Sequence, residues 1–266
     1  MKHESDARER IAILGYGRIG KTVAERLLRD DFAILTDVVT RRCKAASASL
    51  PDAVRLHERL DDALSQKQDV VIECASPALL AEHAPAILGS GADLVAVSLS
   101  AFTAPETEAR ILRAAEAGPG RLFIPSGAAC ALPLLRVAKQ AGIDHVHFRQ
   151  TYPPSVWQKI AGGAPETGFH GVFFRGSVRE AAKLFPRNLN AAVGIALAGL
   201  GMDETTIELV AHPGIANMRY ELEIESLGAP MRLDIGPYDD LAEETTDHTA
   251  FSVLSMLKQR SAAVCF

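Results

Sequence analysis

Six residues near the N-terminus, Gly15-Tyr16-Gly17-Arg18-Ile19-Gly20, have the spacing GxGxxG. The chemistry of such a turn is anion binding: the first glycine permits a tight turn, the second lets a pyrophosphate approach the backbone, and the third lets a helix pack close to a strand. The N–H groups that open the helix have no intrahelical acceptor and bind the anion. Three glycines alone say little, but these follow the apolar run Arg10-Ile11-Ala12-Ile13-Leu14 and open a helical stretch from Ile19 to Arg29. Gly15, Gly17, Arg18, Ile19 and Gly20 are therefore candidates for binding NAD or NADP. The choice between the two is read at the end of the second strand, where an acid holds a ribose 2′-hydroxyl and an arginine accommodates a 2′-phosphate. There the chain reads Val38-Val39-Thr40-Arg41-Arg42, and the nearest acid, Asp37, comes early enough to lie within the strand. Thr40, Arg41 and Arg42 are candidates for a 2′-phosphate clamp; a solvated surface pair of arginines is the plainer alternative.

A parallel sheet must position these groups. Phe32 to Thr40, Asp69 to Cys74, Asp93 to Ser98 and Arg121 to Pro125 read as strands alternating with helical patterns, the sign of βαβ units. After about residue 143 the texture changes. His145 to Thr151, Gly171 to Arg175, Thr206 to Ala211, Met218 to Ser226 and Met231 to Ile235 are strand-like, and Tyr220 to Glu225 alternates as in a sheet with one wet face. Asn190 to Leu200 and Thr249 to Lys258 read as helices, and Gly162 to Gly168 as a mobile loop. The expectation is an α/β chain: a Rossmann-type parallel-sheet domain (residues 1–124 and 240–266) and a smaller α+β domain with a mixed or antiparallel sheet (125–239).

Several ordered segments resemble the L-aspartate dehydrogenase family. Glu73-Cys74-Ala75-Ser76 is similar to its EAAS, Val97 to Phe102 to its S-x-G-A-L turn, and Pro125-Ser126-Gly127-Ala128-Ala129 to its P-S-G-A-I. Arg175-Gly176-Ser177, Arg179-Glu180-Ala181-Ala182 and Phe185-Pro186-Arg187-Asn188-Leu189-Asn190 follow its EGSAREAAxxFPxNxN, and Ala198-Gly199-Leu200-Gly201 continues the match. The resemblance covers most of the chain. It implies a Rossmann domain joined to a smaller domain that holds substrate and pairs two subunits, and the interconversion of aspartate and iminosuccinate. It places Ala128 by the nicotinamide and Asn190 on the cofactor, and marks Ala75 and Ser76 as cofactor-binding.

The departures are chemical. The family's histidine segment, ADPxxxxNxHEI, corresponds to Ala211 to Leu222; without a gap the histidine becomes Tyr220, and with one residue deleted it becomes Arg219. The lysine of its T-x-K-P-P is Tyr152, and its C-terminal N-P-K-T-S is replaced by an acidic stretch around Glu243-Glu244-Thr245-Thr246. Tyrosine is neutral at pH 7 and titrates near about 10. Tyr220 and His212 are the candidates for handling the proton that amine oxidation or imine reduction requires, with His248 a third; each also has a packing or surface role as its plain alternative. A substrate other than aspartate, or a dinucleotide sensor without catalysis, is the competing reading. Trp157 is placed either over the substrate cleft or in the core.

The 266 residues are 48% hydrophobic and 23% charged with a net charge of -5, which leaves no electrostatic footprint for nucleic acid or an anionic membrane. The polar N-terminus and short apolar runs predict neither a secretory leader nor a membrane span. Four scattered cysteines (Cys43, Cys74, Cys130, Cys265) lack metal-type spacing and suit a reduced, cytoplasmic protein. His145 and His147 share a strand face, but no third metal ligand accompanies them. The partners expected are an amino- or imino-acid substrate and a second copy of the chain.

Overall fold

The computed structural model describes residues 8–161, 168–237 and 248–265. The acidic stretch around Glu243, and the expected loop apart from Gly168, lie outside them. Two compact units emerge, one comprising residues 1–101, 105–125 and 249–266, the other 102–104 and 126–248.

The first unit holds six strands, β1 (Arg10–Leu14), β2 (Ile34–Val39), β3 (Arg55–His57), β4 (Val70–Glu73), β5 (Asp93–Ala96) and β6 (Leu122–Phe123). All pair in parallel, in the order β3-β2-β1-β4-β5-β6. Interleaved are α1 (Arg18–Asp30), α2 (Cys43–Ser47), α3 (Leu60–Leu64), α4 (Pro77–Gly89) and α5 (Pro105–Ala117). Parallel strands covered on both faces read as unbroken apolar runs, and Ile11 to Leu14 and Val70 to Ile72 are buried accordingly. On α1 the buried positions are Gly20, Val23, Ala24 and Leu27, the spacing of one helix face. The order of strands reverses between β1 and β4, where crossovers leave in opposite directions and open a crevice at the strands' carboxyl ends.

The second unit contains α6 (Leu132–Ala141), β7 (Ile143–Tyr152), α7 (Pro154–Ala161), β8 (Gly171–Ser177), α8 (Val178–Leu184), α9 (Asn190–Ala198), β9 (Thr206–Ala211), β10 (Arg219–Ser226) and β11 (Met231–Ile235). Its sheet runs β11-β10-β7-β9-β8 and is mixed, because β7 and β9 are parallel while their other neighbours are antiparallel. Helix α8 begins with a capping box, Ser177 and Glu180 each satisfying the other's backbone N–H. Arg179, almost fully buried, forks onto Asp203 and donates to the carbonyls of Phe102 and Thr103, which is why that short segment belongs to this unit. The last helix, α10 (His248–Ser261), returns to the first unit and buries Ala250, Val253, Leu254 and Leu257 in its core.

A buried acid interrupts the apolar run of β2. Asp37 of β2 is wholly buried and takes two bonds from Arg55 of β3 (2.9 and 2.7 Å), one from Gln68 (2.6 Å) and a 2.6 Å contact from His57. Burial works to raise its carboxyl, but the hydrogen bonds, led by Arg55, outweigh that and hold it below the ordinary 3.8. Its stabilisation is therefore complete above pH 3.8 and is lost as pH falls through the lowered folded value. Asp37→Asn, which leaves Arg55 without its charge partner, should lower unfolding free energy by about 3 kcal/mol at pH 7. In acid titrations followed by circular dichroism the gap to wild type should close below that pH.

Candidate active site

Three loops leave the carboxyl ends of β1, β2 and β4 and enclose a cleft of about 570 Å³ in the first unit. Gly15 and Gly17 line it from the first loop, Thr40, Arg41 and Arg42 from the second, and Ala75 and Ser76 from the third. Tyr16 lines it as well, whereas the other three residues of the turn, Arg18, Ile19 and Gly20, are not among its walls. Arg18 is exposed at the start of α1, Ile19 packs against the core, and Gly20 lies beneath the turn.

Each glycine has a different reason to be one. Gly15 adopts a φ of 103°, and a Cβ there would lie 2.7 Å from the Ala75 Cα. At Gly20 a Cβ would stand 2.2 Å from the Gly15 carbonyl oxygen, so α1 can approach β1 only without it. Gly17 differs, since its backbone is extended and a Cβ would meet nothing within 4 Å. That side chain would enter the cleft itself, where a bound pyrophosphate needs close approach. Gly17 also caps α1 with no side-chain bond, and the first turn carries no acid. The open N–H groups and positive dipole end suit an anion. The residues present therefore fit a dinucleotide.

The third loop is organised by Glu73, a buried carboxylate at the end of β4. Its Oε1 accepts from the Ala75 and Ser76 N–H groups (2.8 and 3.0 Å) and the Ser98 hydroxyl (2.8 Å), and its Oε2 from the Ser98 N–H (3.1 Å). Burial pushes the carboxyl above its ordinary range and these four donors oppose the shift. Ser76 in turn caps α4 by accepting from the Leu79 N–H. Sequence reasoning saw Glu73 only as part of a motif, and it missed Glu58, Arg59 and His83, which also line the cleft. Arg59 and Glu58 follow β3, a three-residue strand with too little apolar pattern to be noticed.

In the second unit Ala128 is buried in a short 3₁₀ turn, Gly127–Ala129, and Asn190 is the first residue of α9. Tyr220 is buried on the inner face of β10, its hydroxyl 2.8 Å from that of Tyr152 on β7. Its neighbour Arg219 points the other way, pairing with Glu221 and Asp234 on the outer face. His212 is exposed after β9, and its Nδ1 accepts the Gly214 N–H. His248 starts α10 and is exposed. Trp157 is fully buried and donates from its indole to the Val210 carbonyl (2.7 Å), so it packs in the core rather than closing a cleft. His145 and His147 stack and share the Thr206 hydroxyl. Among the described residues no group of three or more His, Cys, Asp or Glu is placed to hold a metal ion, and no helix is long and apolar enough to cross a membrane.

A strand order of this type, with a glycine turn at its switch point, defines a dinucleotide-binding domain, and relatives agree. The family described as Homoserine dehydrogenase, NAD binding domain, matches residues 15–125, and that described as Aspartate dehydrogenase, C-terminal, matches residues 134–260. L-aspartate dehydrogenase 1 of Bordetella pertussis is 36% identical over 80% of this chain and 81% of its own length. The L-aspartate dehydrogenase of Cupriavidus necator is 31% identical over 96% and 98%. The crystal structure of aspartate dehydrogenase from Thermotoga maritima superposes with a TM-score of 0.77 at 25% identity, covering 97% of this chain and 99% of that one. The protein is an NAD(P)-dependent oxidoreductase. It belongs to the L-aspartate dehydrogenase family.

The glycines separate binding from folding. Gly17→Ala should leave the thermal midpoint within a few degrees of wild type, yet weaken NADPH binding at least about tenfold in a fluorescence titration. Gly20→Ala should destabilise by about 1–3 kcal/mol, because backbone must move. Equal loss of stability in both variants would remove the distinction.

Proposed function

We propose that this chain interconverts L-aspartate and iminosuccinate, the imine being exchanged with oxaloacetate and ammonia, and that it uses NADP in preference to NAD. The observation that carries this reading is a cleft lined by the glycine turn in a chain 36% identical, over 80% of its length, to an L-aspartate dehydrogenase. The NADP preference is supported by Asp37, which is committed to Arg55, Gln68 and His57 inside the sheet and does not line the cleft. Thr40, Arg41 and Arg42 do line it, with Arg59 beside them, and suit a 2′-phosphate. Two copies of the chain pair through the outer face of the second sheet, and the enzyme works in the cytoplasm.

When bound, the nicotinamide supplies or takes up the hydride at the substrate carbon. In this reading Ala128 and the Asn190 side chain hold the cofactor's reactive end. Tyr220 handles the proton: in the reducing direction its O–H bond breaks as an N–H bond forms at the imine nitrogen, whose C=N electron pair is freed by hydride arrival. His212 is the lesser candidate, since its Nδ1 is engaged in its own turn.

Two measurements test this. NADPH oxidation followed with oxaloacetate and ammonia should show turnover, and Tyr220→Phe should reduce kcat by about a hundredfold, the lower range for a general acid; a Tyr220→Phe enzyme of full activity would remove the residue from the reaction. NADPH should bind more tightly than NADH, and Arg41→Ala with Arg42→Ala should erase the difference, about tenfold or more for lost charged hydrogen bonds. A wild-type preference for NADH would sink the clamp.

A further inference from the structure

The inner face of the second sheet is apolar except at one end. β7 presents Val146, Phe148, Gln150 and Tyr152 to it, β9 presents Ile207, Leu209 and Ala211, and β10 presents Tyr220, Leu222 and Ile224, all buried. The three polar side chains fall together. Gln150 stands directly opposite Tyr220 in the β7–β10 register, and Tyr152 follows two residues on, on the same face. Phenylalanine would fill the volume of either tyrosine without bringing a hydroxyl into a low-dielectric layer, so packing does not account for the pair.

We infer that Tyr152 is a positioning residue that acts through Tyr220, its hydroxyl donating to the Tyr220 oxygen and so fixing the direction of Tyr220's own proton. The inference rests on the proton role given to Tyr220 above. The two oxygens stand 2.8 Å apart, the usual length of an O–H···O bond. Both rings are held from other sides. Tyr152 meets the edge of Trp157 at a centroid distance of 5.2 Å and 65°, and Trp157 is tied to the Val210 carbonyl; Tyr220 leans on Phe148 at 5.3 Å. With the rings locked, the hydrogen bond fixes the Tyr152 hydroxyl and occupies one acceptor site on the Tyr220 oxygen, which turns Tyr220's own proton away from Tyr152.

The consequence is larger in the transition state than before it. As the Tyr220 proton passes to the imine nitrogen, negative charge develops on the Tyr220 oxygen, and the bond from Tyr152 becomes charge-assisted and stronger. No covalent change occurs at Tyr152. A second observation places functional polarity in this strip independently. Gln150 is fully buried, and its Nε2 donates to the Asn188 carbonyl at 2.8 Å, which fixes the amide's orientation. Its Oε1 then has no hydrogen-bond partner among the described residues. Gln150 thereby links the phenols' end of the sheet to the turn that delivers Asn190.

The test is a double-mutant cycle on the full chain, using Tyr152→Phe, Tyr220→Phe and both, with oxaloacetate, ammonia and NADPH. Tyr152→Phe should lower kcat about tenfold while the KM for oxaloacetate, the NADPH dissociation constant and the thermal midpoint stay near wild type. The double variant should be no slower than Tyr220→Phe alone, because Tyr152 has nothing left to act through. Three results overturn the inference: a Tyr152→Phe enzyme of wild-type kcat beside an impaired Tyr220→Phe, additive losses in the double variant, or a loss of kcat that tracks losses of NADPH binding and stability. A fully active Tyr220→Phe overturns the reading of Tyr220 itself, and this inference with it, so the two failures are told apart.

Discussion

The carboxylate of Glu73 gathers N–H groups that no strand can satisfy. Residues that follow a parallel strand turn away from the sheet, and buried backbone donors left there would be costly. At the end of β4 this applies to Ala75 and Ser76, and at the end of β5 to Ser98, and one side chain accepts from all three. The position of Ala75 follows, and from it the absence of a side chain at Gly15, whose Cβ would overlap the Ala75 backbone. The Gly15 carbonyl in turn excludes a side chain at Gly20, which lets α1 lie close to β1 with its N-terminus at the cleft. The cofactor turn is thus one end of a chain of steric exclusions anchored at a buried acid.

How much of this is legible in sequence depends on how local the cause is. The glycine turn and β1 could be read directly, since an apolar run, a GxGxxG spacing and an amphipathic helix lie side by side. The Rossmann-type sheet and the mixed second sheet followed from the change of periodicity near residue 143. The placement of Asp37 inside β2 was also legible. Its partners were not, because Arg55 and His57 sit on a three-residue strand without apolar alternation. The cleft residues Glu58, Arg59 and His83 carry no local mark of their role. The Tyr152–Tyr220 bond joins positions 68 residues apart, and only strand register creates it.

The second sheet shows how one strand serves two environments. On β7 the period of two sends Phe148, Gln150 and Tyr152 to the buried layer and His147 and Arg149 to the other face. There Glu208 lies between Arg149 and Arg175 at 2.7 Å from each; burial acts to raise its carboxyl, and the two guanidinium groups more than reverse that. The adjacent pair Arg219 and Tyr220 divides in the same way. A shift of one residue in β10 would exchange an ion-pair partner for the inner-face phenol, so the register of this strand specifies the candidate site as firmly as any contact within it.

The return of α10 to the first unit bears on how the protein is made. The ribosome delivers the six parallel strands and the glycine turn early, then residues 126–248 of the second unit, and only afterwards the helix carrying Val253, Leu254 and Leu257. Until then the core cluster that includes Val23, Leu27 and Ile11 lacks the side chains α10 adds to it, and Glu9 lacks Arg260, which grips it at 2.6 Å in the finished chain. The core of the nucleotide-binding half is consequently completed by residues that are synthesised only after the half that follows it.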